Sequence, residues 1–201
     1  MDMLEFIKSR RSTRKFTAKE IEAEKLNQIL EAGRYAPSGG NSQSTHFLVI
    51  QSKDVLAFLQ NAVQKVFAAM EEYPGMYRSM ANSIRAARRG NYVFHYHAPV
   101  LILCANRKDY GNNIADVACA LENMMLMANA LDLGSCWINQ LKWLNEDQEI
   151  NDYLVSIGMD RSERVYGALA VGYPDTDDGL PPRTPVERTG NAVTFIKKAL
   201  M

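Results

Sequence analysis

The stretch that most constrains this fold runs from Asn113 to Leu133, where apolar residues follow one another with few polar interruptions. The strongly polar exceptions include Asp116, Glu122, Asn123 and Asp132. A helix that is apolar nearly all round has to be buried on nearly all sides. Two arrangements achieve this burial. Either the helix is wrapped by its own domain, or its small Ala and adaptable Met residues pack against a second copy across a twofold axis, as we expect.

Other apolar patterns surround this helix. Four apolar runs predict strands, at Thr45–Gln51, Ala98–Ala105, Gly134–Leu141 and Arg164–Tyr173. Apolar spacings of three and four predict further helices over about 18–34, 55–70 and 145–156, the first starting at a Thr17-Ala18-Lys19-Glu20 signal. In the first strand the run Phe47–Ile50 is continuous, which predicts burial on both faces of a sheet.

Composition narrows the classes of function. Lys plus Arg number 23 and Asp plus Glu number 23, so there is no net positive field to attract nucleic acid or a membrane surface.

The cysteines, Cys104, Cys119 and Cys136, are far apart and each lies in an apolar segment, which predicts reduced core residues. No signal-peptide pattern and no run of membrane-spanning length is present. We therefore expect a cytoplasmic protein, with a chain of 201 residues fitting one large domain or two small ones.

A cationic cluster lies near the start of the chain, in Arg10-Arg11-Ser12-Thr13-Arg14-Lys15-Phe16. An amphipathic run that includes Leu4 and Ile7 precedes it, so it lies on a connector between two helices. Arg presents a planar fork that grips phosphate or carboxylate, and Ser adds a neutral donor. The alternative is a set of solvated charges at the end of the first helix.

Three other segments could contact ligands or neighbours. The loop Tyr35–Ser44 is rich in small residues and neutral donors, and is either a ligand-binding loop or an ordinary connector. The segment 73–97 includes a weakly apolar helix that we expect to lie over the core without joining it, as a mobile cover. Its histidines, His95 and His97, lack further ligands at metal spacing, so we expect structural or substrate-lining roles and no metal. The tail, residues 190–201, is expected to embrace a neighbour.

Four motifs occur in the order found in one family. They are Arg10–Phe16; Ala36-Pro37-Ser38-Gly39-Gly40-Asn41-Ser42-Gln43; Asn123–Leu126 with Gly134-Ser135-Cys136-Trp137-Ile138; and Gly172-Tyr173-Pro174 with Arg183. In this order the chain resembles the FMN-dependent nitroreductase family over essentially its whole length. The resemblance implies a single α+β domain with the three-layer α/β/α flavin fold, a mainly antiparallel central sheet and an intertwined homodimer.

The resemblance also assigns roles to the cations. Arg10, Ser12 and Arg183 become ligands of the FMN phosphate or ribityl chain, with Arg11 beside them. Arg14 lies at the pyrimidine edge of the flavin, where a cation stabilises the negative charge that collects on reduction. Larger nitroreductases carry a Lys shortly before the late Arg, where this chain has two prolines. Its phosphate grip should therefore rest more heavily on the two arginines.

Loop and strand residues complete the implied site. Pro37, Ser38 and Gly39 come from the other subunit and pack against the flavin, with Asn41 and Gln43 close by. At the end of the third strand the backbone N–H groups face the hydride-accepting nitrogen. That end consists of Ile138, Asn139 and Gln140.

The implied function is a two-electron transfer from NAD(P)H through FMN to a nitroaromatic, a quinone or a similar small acceptor. Flavin carries the redox step, so no catalytic side chain is needed beyond the electrostatic role of Arg14. No Gly-x-Gly-x-x-Gly sequence follows a strand, so donor and acceptor would alternate in one pocket, as in a ping-pong mechanism. The alternatives are a flavin-binding protein without significant turnover and a binding module for phosphate ligands without flavin.

Overall fold

The structure, a computed structural model, describes residues 2–197. Its strands are β1 (His46–Ile50), β2 (Val100–Arg107), β3 (Gly134–Ile138) and β4 (Glu163–Gly172). Its helices are α1 (Met3–Ser9), α2 (Ala23–Arg34), α3 (Lys53–Ala69), α4 (Arg78–Arg88), α5 (Asn113–Ala130), α6 (Gln140–Trp143) and α7 (Gln148–Ser156). No helix within the described range is both long and apolar enough to cross a membrane.

The strands form one sheet in the order β1-β2-β4-β3, and every neighbouring pair is antiparallel. Its central strands, β2 and β4, have long runs of mainly apolar residues, Val100–Ala105 and Val165–Val171, that are buried on both faces, as expected of strands covered by helices on each side. Helices α2 and α5 cover one face, and α3, α4, α6 and α7 cover the other. The expected α+β fold with three layers and an antiparallel sheet is therefore confirmed.

Helix α5 lies directly on the sheet. Gly167 of β4 makes this approach possible, because a Cβ at that position would lie 2.6 Å from Cδ1 of Leu121. The opposite side of the helix stays open in the single chain, with Ala115, Cys119 and Ala130 exposed. The expectation of a core position is thus wrong for Cys119, and its own domain does not wrap the whole helix.

Helix α2 begins at Ala23, not at Ala18, so the predicted start signal is wrong. The reason is a long-range contact, because the N–H of Thr17 donates to the carbonyl of Tyr173 at 2.9 Å and holds the chain extended. The buried side chain of Ile21 then anchors this extended segment against the core.

Two expectations of burial are also wrong. In β1, Leu48 and Ile50 are buried while Val49 is exposed, because β1 is an edge strand and the described residues cover that face only in part, around Phe47. Helix α4 joins the core through Ile84 and Ala87, both buried against its neighbours. Whether the segment 73–97 moves as a cover stays a prediction.

The end of the chain has no regular structure over residues 191–197. Its apolar side chains Val193, Phe195 and Ile196 are exposed. The remainder of the predicted tail, residues 198–201, lies outside the described residues. Its embrace of a neighbour stays a prediction.

Candidate functional site

The cationic segment crosses the end of the sheet where β3 begins and β4 finishes. Ser12 forms a parallel bridge with Ser135, and the N–H of Thr13 donates to the carbonyl of Ser135 at 2.8 Å. Gly134 allows the close approach, since a Cβ there would lie 2.6 Å from Cγ2 of the buried Thr13. These contacts fix the segment along the free edge of β3.

Three of the predicted ligands, Arg10, Ser12 and Arg14, lie near enough to Cys136 to affect its thiol. Burial raises the pKa of this thiol, and Arg14, Ser12 and Arg10 partly offset that rise. Each of the three can affect the pKa only from nearby, so two guanidinium groups and one hydroxyl share one region. The thiol is protonated at neutral pH and adds no negative charge to them.

Neighbouring arginines have different partners. Nε of Arg10 lies 3.8 Å from Oε1 of Glu122 on α5, and only 20% of the Arg10 side chain is exposed. Nη1 of Arg11 donates to the carbonyl of Thr184 at 2.6 Å, which ties the proline-rich segment to the cluster. Arg10 therefore belongs to a half-buried polar region, whereas Arg11 holds the late segment in place.

Arg183 reaches the carboxyl end of α5. Its Nη2 donates to the carbonyl of Asn129 at 2.7 Å and to Oδ1 of Asp132 at 2.5 Å. The side chain of Asn129 in turn donates to Oγ of Ser9 at 2.9 Å, immediately before Arg10 in the chain. Asn129 thus links the late arginine to the early cationic segment.

A strained turn lies beside Arg14. Its guanidinium carbon is 5.9 Å from the ring centre of Tyr96, within the range of a cation–π contact. Tyr96 and the following His97 both have left-handed backbones, with φ of 57° and 58°. Consecutive non-glycine residues in this conformation are uncommon and tend to occur at functional sites.

His95 lies in the same turn and is buried, with 5% of its surface exposed. Burial lowers its pKa to about 4, and the nearby His97 adds to the effect. Neither ring nitrogen has a hydrogen-bond partner among the described residues. The imidazole is therefore neutral at physiological pH. Within the same residues, no group of three or more His, Cys, Asp and Glu side chains could hold a metal ion.

The end of β3 is shorter than predicted. The strand stops at the buried Ile138, and Gln140 begins α6. Asn139 accepts a hydrogen bond from Nε1 of Trp137 at 3.0 Å. Nε2 of Gln140 donates to the hydroxyl of Tyr92 at 2.8 Å, so the side chain of Gln140 points to the α4 side of the molecule.

Sequence reasoning missed several of these partners. Tyr92 donates to Oγ of Ser83 at 2.8 Å, and together they fix the side chain of Gln140. Burial raises the pKa of Tyr92, so it stays neutral. Asp132 had a signal that reasoning did not use, since it occupies the position after a helix where glycine is usual.

The loop Tyr35–Ser44 is held by a polar network on α5. The N–H of Gly39 donates to Oδ1 of Asp116 at 3.0 Å, and the hydroxyl of Tyr110 donates to the carbonyl of Gly39 at 3.0 Å. Oγ of Ser38 accepts from the N–H of Gln43 at 3.0 Å. A cavity of about 660 Å³ opens beside this loop. Residues that line it include Pro37, Ser38, Asn41, Gln43 and His46.

The predicted site residues therefore form two groups in one chain. Arg10, Ser12 and Arg14 lie along the free edge of β3, whereas the loop leads into β1 at the opposite edge of the sheet. Three strand spacings separate these edges, about 14 Å. Along α5, the partners Asp116 and Asn129 of the two groups are 13 residues apart, about 20 Å in a helix.

Comparison with known sequences identifies relatives over the whole region that carries both groups. A sequence model of the nitroreductase family matches residues 7–173. A curated relative from Archaeoglobus fulgidus is 25% identical over 177 residues, with 86% of each chain covered, and is provisionally named NADH dehydrogenase/NAD(P)H nitroreductase. The FMN reductase (NADPH) of Bacillus subtilis is 25% identical over 203 residues, covering 96% of this chain and 74% of the relative.

Solved structures share the fold. A crystal structure of a nitroreductase with bound FMN from Bacteroides fragilis superposes with a TM-score of 0.84 at 34% sequence identity. The alignment covers 98% of this chain and 100% of that one. The cationic segment, the loop and the end of β3 therefore lie within the shared fold.

Proposed function

This chain belongs to the nitroreductase family, and from that premise we propose that it is an FMN-dependent oxidoreductase that uses NAD(P)H to reduce nitroaromatics, quinones or similar small acceptors. The observation that carries the proposal is the convergence of Arg10, Ser12 and Arg14 around Cys136 at the free edge of β3. Bound FMN in the Bacteroides fragilis nitroreductase supports it.

The donor set fits an FMN phosphate and ribityl chain. Arg10 and Ser12 offer charged and neutral donors in a half-buried region, and Arg183 adds a second guanidinium at the end of α5. Such charge-assisted bonds are the strong ones. We assign these three residues to the phosphate and ribityl groups and Arg11 to a supporting position beside them.

The remaining residues would bind and tune the ring. Arg14, held by Tyr96, is the cation for the pyrimidine edge. Backbone N–H groups at Ile138, Asn139 and Gln140 would face the hydride-accepting nitrogen. When bound, FMN would supply the hydride-transfer chemistry between the donor and the acceptor. Because a neutral thiol lies among the cations, their positive charge remains available to the cofactor.

We also propose a twofold dimer in which Pro37, Ser38 and Gly39, with Asn41 and Gln43, reach the flavin of the other subunit. The argument is the separation of the two groups, since the loop lies at the sheet edge opposite the cationic segment. A ligand along β3 would then meet this loop only from a second copy.

Exposed apolar surface supports the same assembly. Large side chains of α1 stand in solvent in the single chain, with Met3 71% and Leu4 59% exposed. The open side of α5 around Cys119 adds small residues that favour close helix packing. Exposed apolar side chains on both elements are what a subunit interface would bury.

Steady-state kinetics test the function. The purified protein should oxidise NADH or NADPH in the presence of a nitroaromatic or quinone acceptor, and double-reciprocal plots should give parallel lines because donor and acceptor alternate in one pocket. A protein that carries FMN but shows no acceptor-dependent turnover would instead be a flavin-binding protein. A protein that binds phosphate compounds but no flavin would contradict the proposal.

A further inference from the structure

Asp132 occupies an unfavourable position at the end of α5. The helix closes with the N–H of Leu133 donating to the carbonyl of Ala128 at 2.9 Å, and Asp132 between them has a left-handed backbone with φ of 60°. Glycine is usual at this position because it has no Cβ to clash. Aspartate tolerates this conformation better than most residues do, but its Cβ still makes it less favourable here than glycine.

The charge of Asp132 is also unfavourable for the helix. The carboxyl end of a helix carries a partial negative charge, and an acidic side chain there is repelled. Lys25 offers limited compensation, since its Nζ donates to the carbonyl of Leu131 at 3.4 Å and its pKa is raised mainly by Tyr173. Glycine would suit this backbone better, and the helix dipole opposes the charge, so neither effect favours an aspartate over glycine here.

Its contact with Arg183 does. Both Oδ1 of Asp132 and the carbonyl of Asn129 accept from Nη2 of Arg183. These two bonds use the hydrogens of one nitrogen and leave three N–H groups of the guanidinium, on Nε and Nη1, for another acceptor. The plane of the guanidinium is thereby fixed while most of its donors face elsewhere.

The ion pair is too exposed to serve as a stability device. The side chains of Arg183 and Asp132 are 35% and 54% exposed, and exposed pairs contribute little to folding. Asp132 is less favourable than glycine for the backbone, opposes the helix dipole and forms a pair that adds little stability. Its presence is better explained by the Arg183 guanidinium that it orients.

We propose that Asp132 is a positioning residue that holds the guanidinium of Arg183 in the orientation in which it binds the FMN phosphate or ribityl chain. The inference rests on the proposed function, because it requires FMN at this site. Asn129 contributes through its backbone carbonyl, and its side chain ties the same point to Ser9 beside the cationic segment.

The main test is Asp132→Gly, which removes the carboxylate and suits the left-handed backbone. Dilution of the purified holoprotein, with FMN release followed by fluorescence, should show an FMN dissociation constant raised about tenfold. Asp132→Asn keeps an acceptor without the charge and should show a smaller rise. The matched control is Asn91→Gly, at an exposed residue with φ of 58° after α4, which should leave the dissociation constant unchanged.

A double variant separates positioning from a structural role. In the Arg183→Ala background, Asp132→Gly should have no further effect on FMN affinity, because the group through which it acts is gone. At the same FMN concentration, the double variant should unfold at the same temperature as Arg183→Ala or at a higher one, because glycine relieves the backbone strain and the repulsion by the helix dipole. If Asp132 served only to cap the helix, its removal would lower that temperature.

Three results would overturn the inference. They are Asp132→Gly binding FMN as tightly as the parent, a loss of equal size in the Arg183→Ala background, and a lowered unfolding temperature there. If the parent holds FMN and Arg183→Ala weakens it while Asp132→Gly does not, only this inference fails. If the parent holds no FMN, the proposed function fails with it.

Discussion

At the level of single residues, the positive charges of Arg10 and Arg14 at the candidate site are only partly neutralised by their neighbours. Arg10 lies 3.8 Å from Glu122 at partial burial, and Arg14 contacts an aromatic ring and has no ion pair with a carboxylate of residues 2–197. A hydrogen bond to a charged group contributes about 1.5 to 3 kcal/mol, more than a neutral one. Replacing any one of the arginines assigned to FMN should therefore change the cofactor affinity measurably.

Arg10→Ala should purify folded but mostly colourless. Loss of one charge-assisted contact corresponds to about a ten- to hundredfold weaker FMN affinity. Release of FMN on dilution at moderate salt measures it. Arg107→Ala is the control, because Arg107 is an exposed arginine paired with Asp109 at 3.0 Å outside the cluster. Arg10→Ala that retains FMN as tightly as the parent would remove Arg10 from the site.

His95 should make stability depend on pH. Its pKa of about 4 in the folded protein lies below the ordinary value of 6.5, so the unfolded chain binds a proton first as pH falls. The stabilisation present above pH 6.5 should be lost between pH 6.5 and 4, with a slope of at most about 1.4 kcal/mol per pH unit. Urea unfolding of the parent and of His95→Phe at several pH values measures this slope.

In His95→Phe the slope over this range should be flatter, because no imidazole remains to titrate. His97→Phe, at the exposed neighbouring histidine, should keep most of the parental slope. Equal slopes in His95→Phe and the parent would show that burial of His95 has no such effect.

The sequence was enough to predict the hydrogen-bond donors of the site, but not the residues that hold site side chains in place. Arg10, Ser12 and Arg14 are conspicuous in the sequence because cations and a hydroxyl cluster within five positions. The partners of other site residues are distant, since Asp132 lies 51 residues from Arg183 and Tyr92 lies 48 from Gln140. No local pattern encodes such contacts.

At the scale of elements, apolar periodicity predicted helices and strands well where burial is uniform. Strands β2 and β4 and the body of α5 are of this kind. Errors arose where tertiary contacts override local signals, as at Thr17, where a bond to Tyr173 delays α2. The edge position of β1 was also hidden, because strand order cannot be obtained from the apolar run itself.

The two sides of α5 should respond differently to a charge. Leu121 is fully buried within its own chain, so Leu121→Asp should unfold the subunit. Cys119→Asp places the charge on the exposed side and should separate subunits that remain folded. Ala57→Asp, at an exposed position of α3, is the control.

Sedimentation and circular dichroism distinguish these outcomes. The Cys119 variant should sediment as a folded monomer depleted of FMN, and the Ala57 variant should behave as the parent. If Cys119→Asp remained a dimer at micromolar concentration, the open side of α5 would not be the subunit contact.

At the scale of the whole molecule, the resemblance to a family predicted the layers and the sheet, which periodicity alone left open. The proposed site would take residues from two copies of the chain. Its loop and its cationic segment lie at opposite edges of the sheet, about 14 Å apart. Assembly and flavin binding should therefore be coupled.

Deleting residues 190–201 should weaken the dimer and FMN binding together. The tail carries exposed apolar side chains, with Phe195 80% and Ile196 86% exposed, which gain burial only against a neighbour. Replacing Val193, Phe195 and Ile196 by Ser at full length should act similarly, whereas Tyr77→Ser, also at an exposed residue, should not. Sedimentation with absorbance read at the protein and flavin bands measures both effects. A monomer that carried stoichiometric FMN would contradict the coupling.

The most direct test of the function is anaerobic titration of the coloured holoprotein with NADH and NADPH, after the pigment released on denaturation has been identified. We predict that the pigment is FMN and that one equivalent of reduced nicotinamide bleaches the flavin band. A nitroaromatic or quinone acceptor should then restore the band. A pigment other than FMN, or a flavin band that neither nucleotide bleaches, would contradict the account.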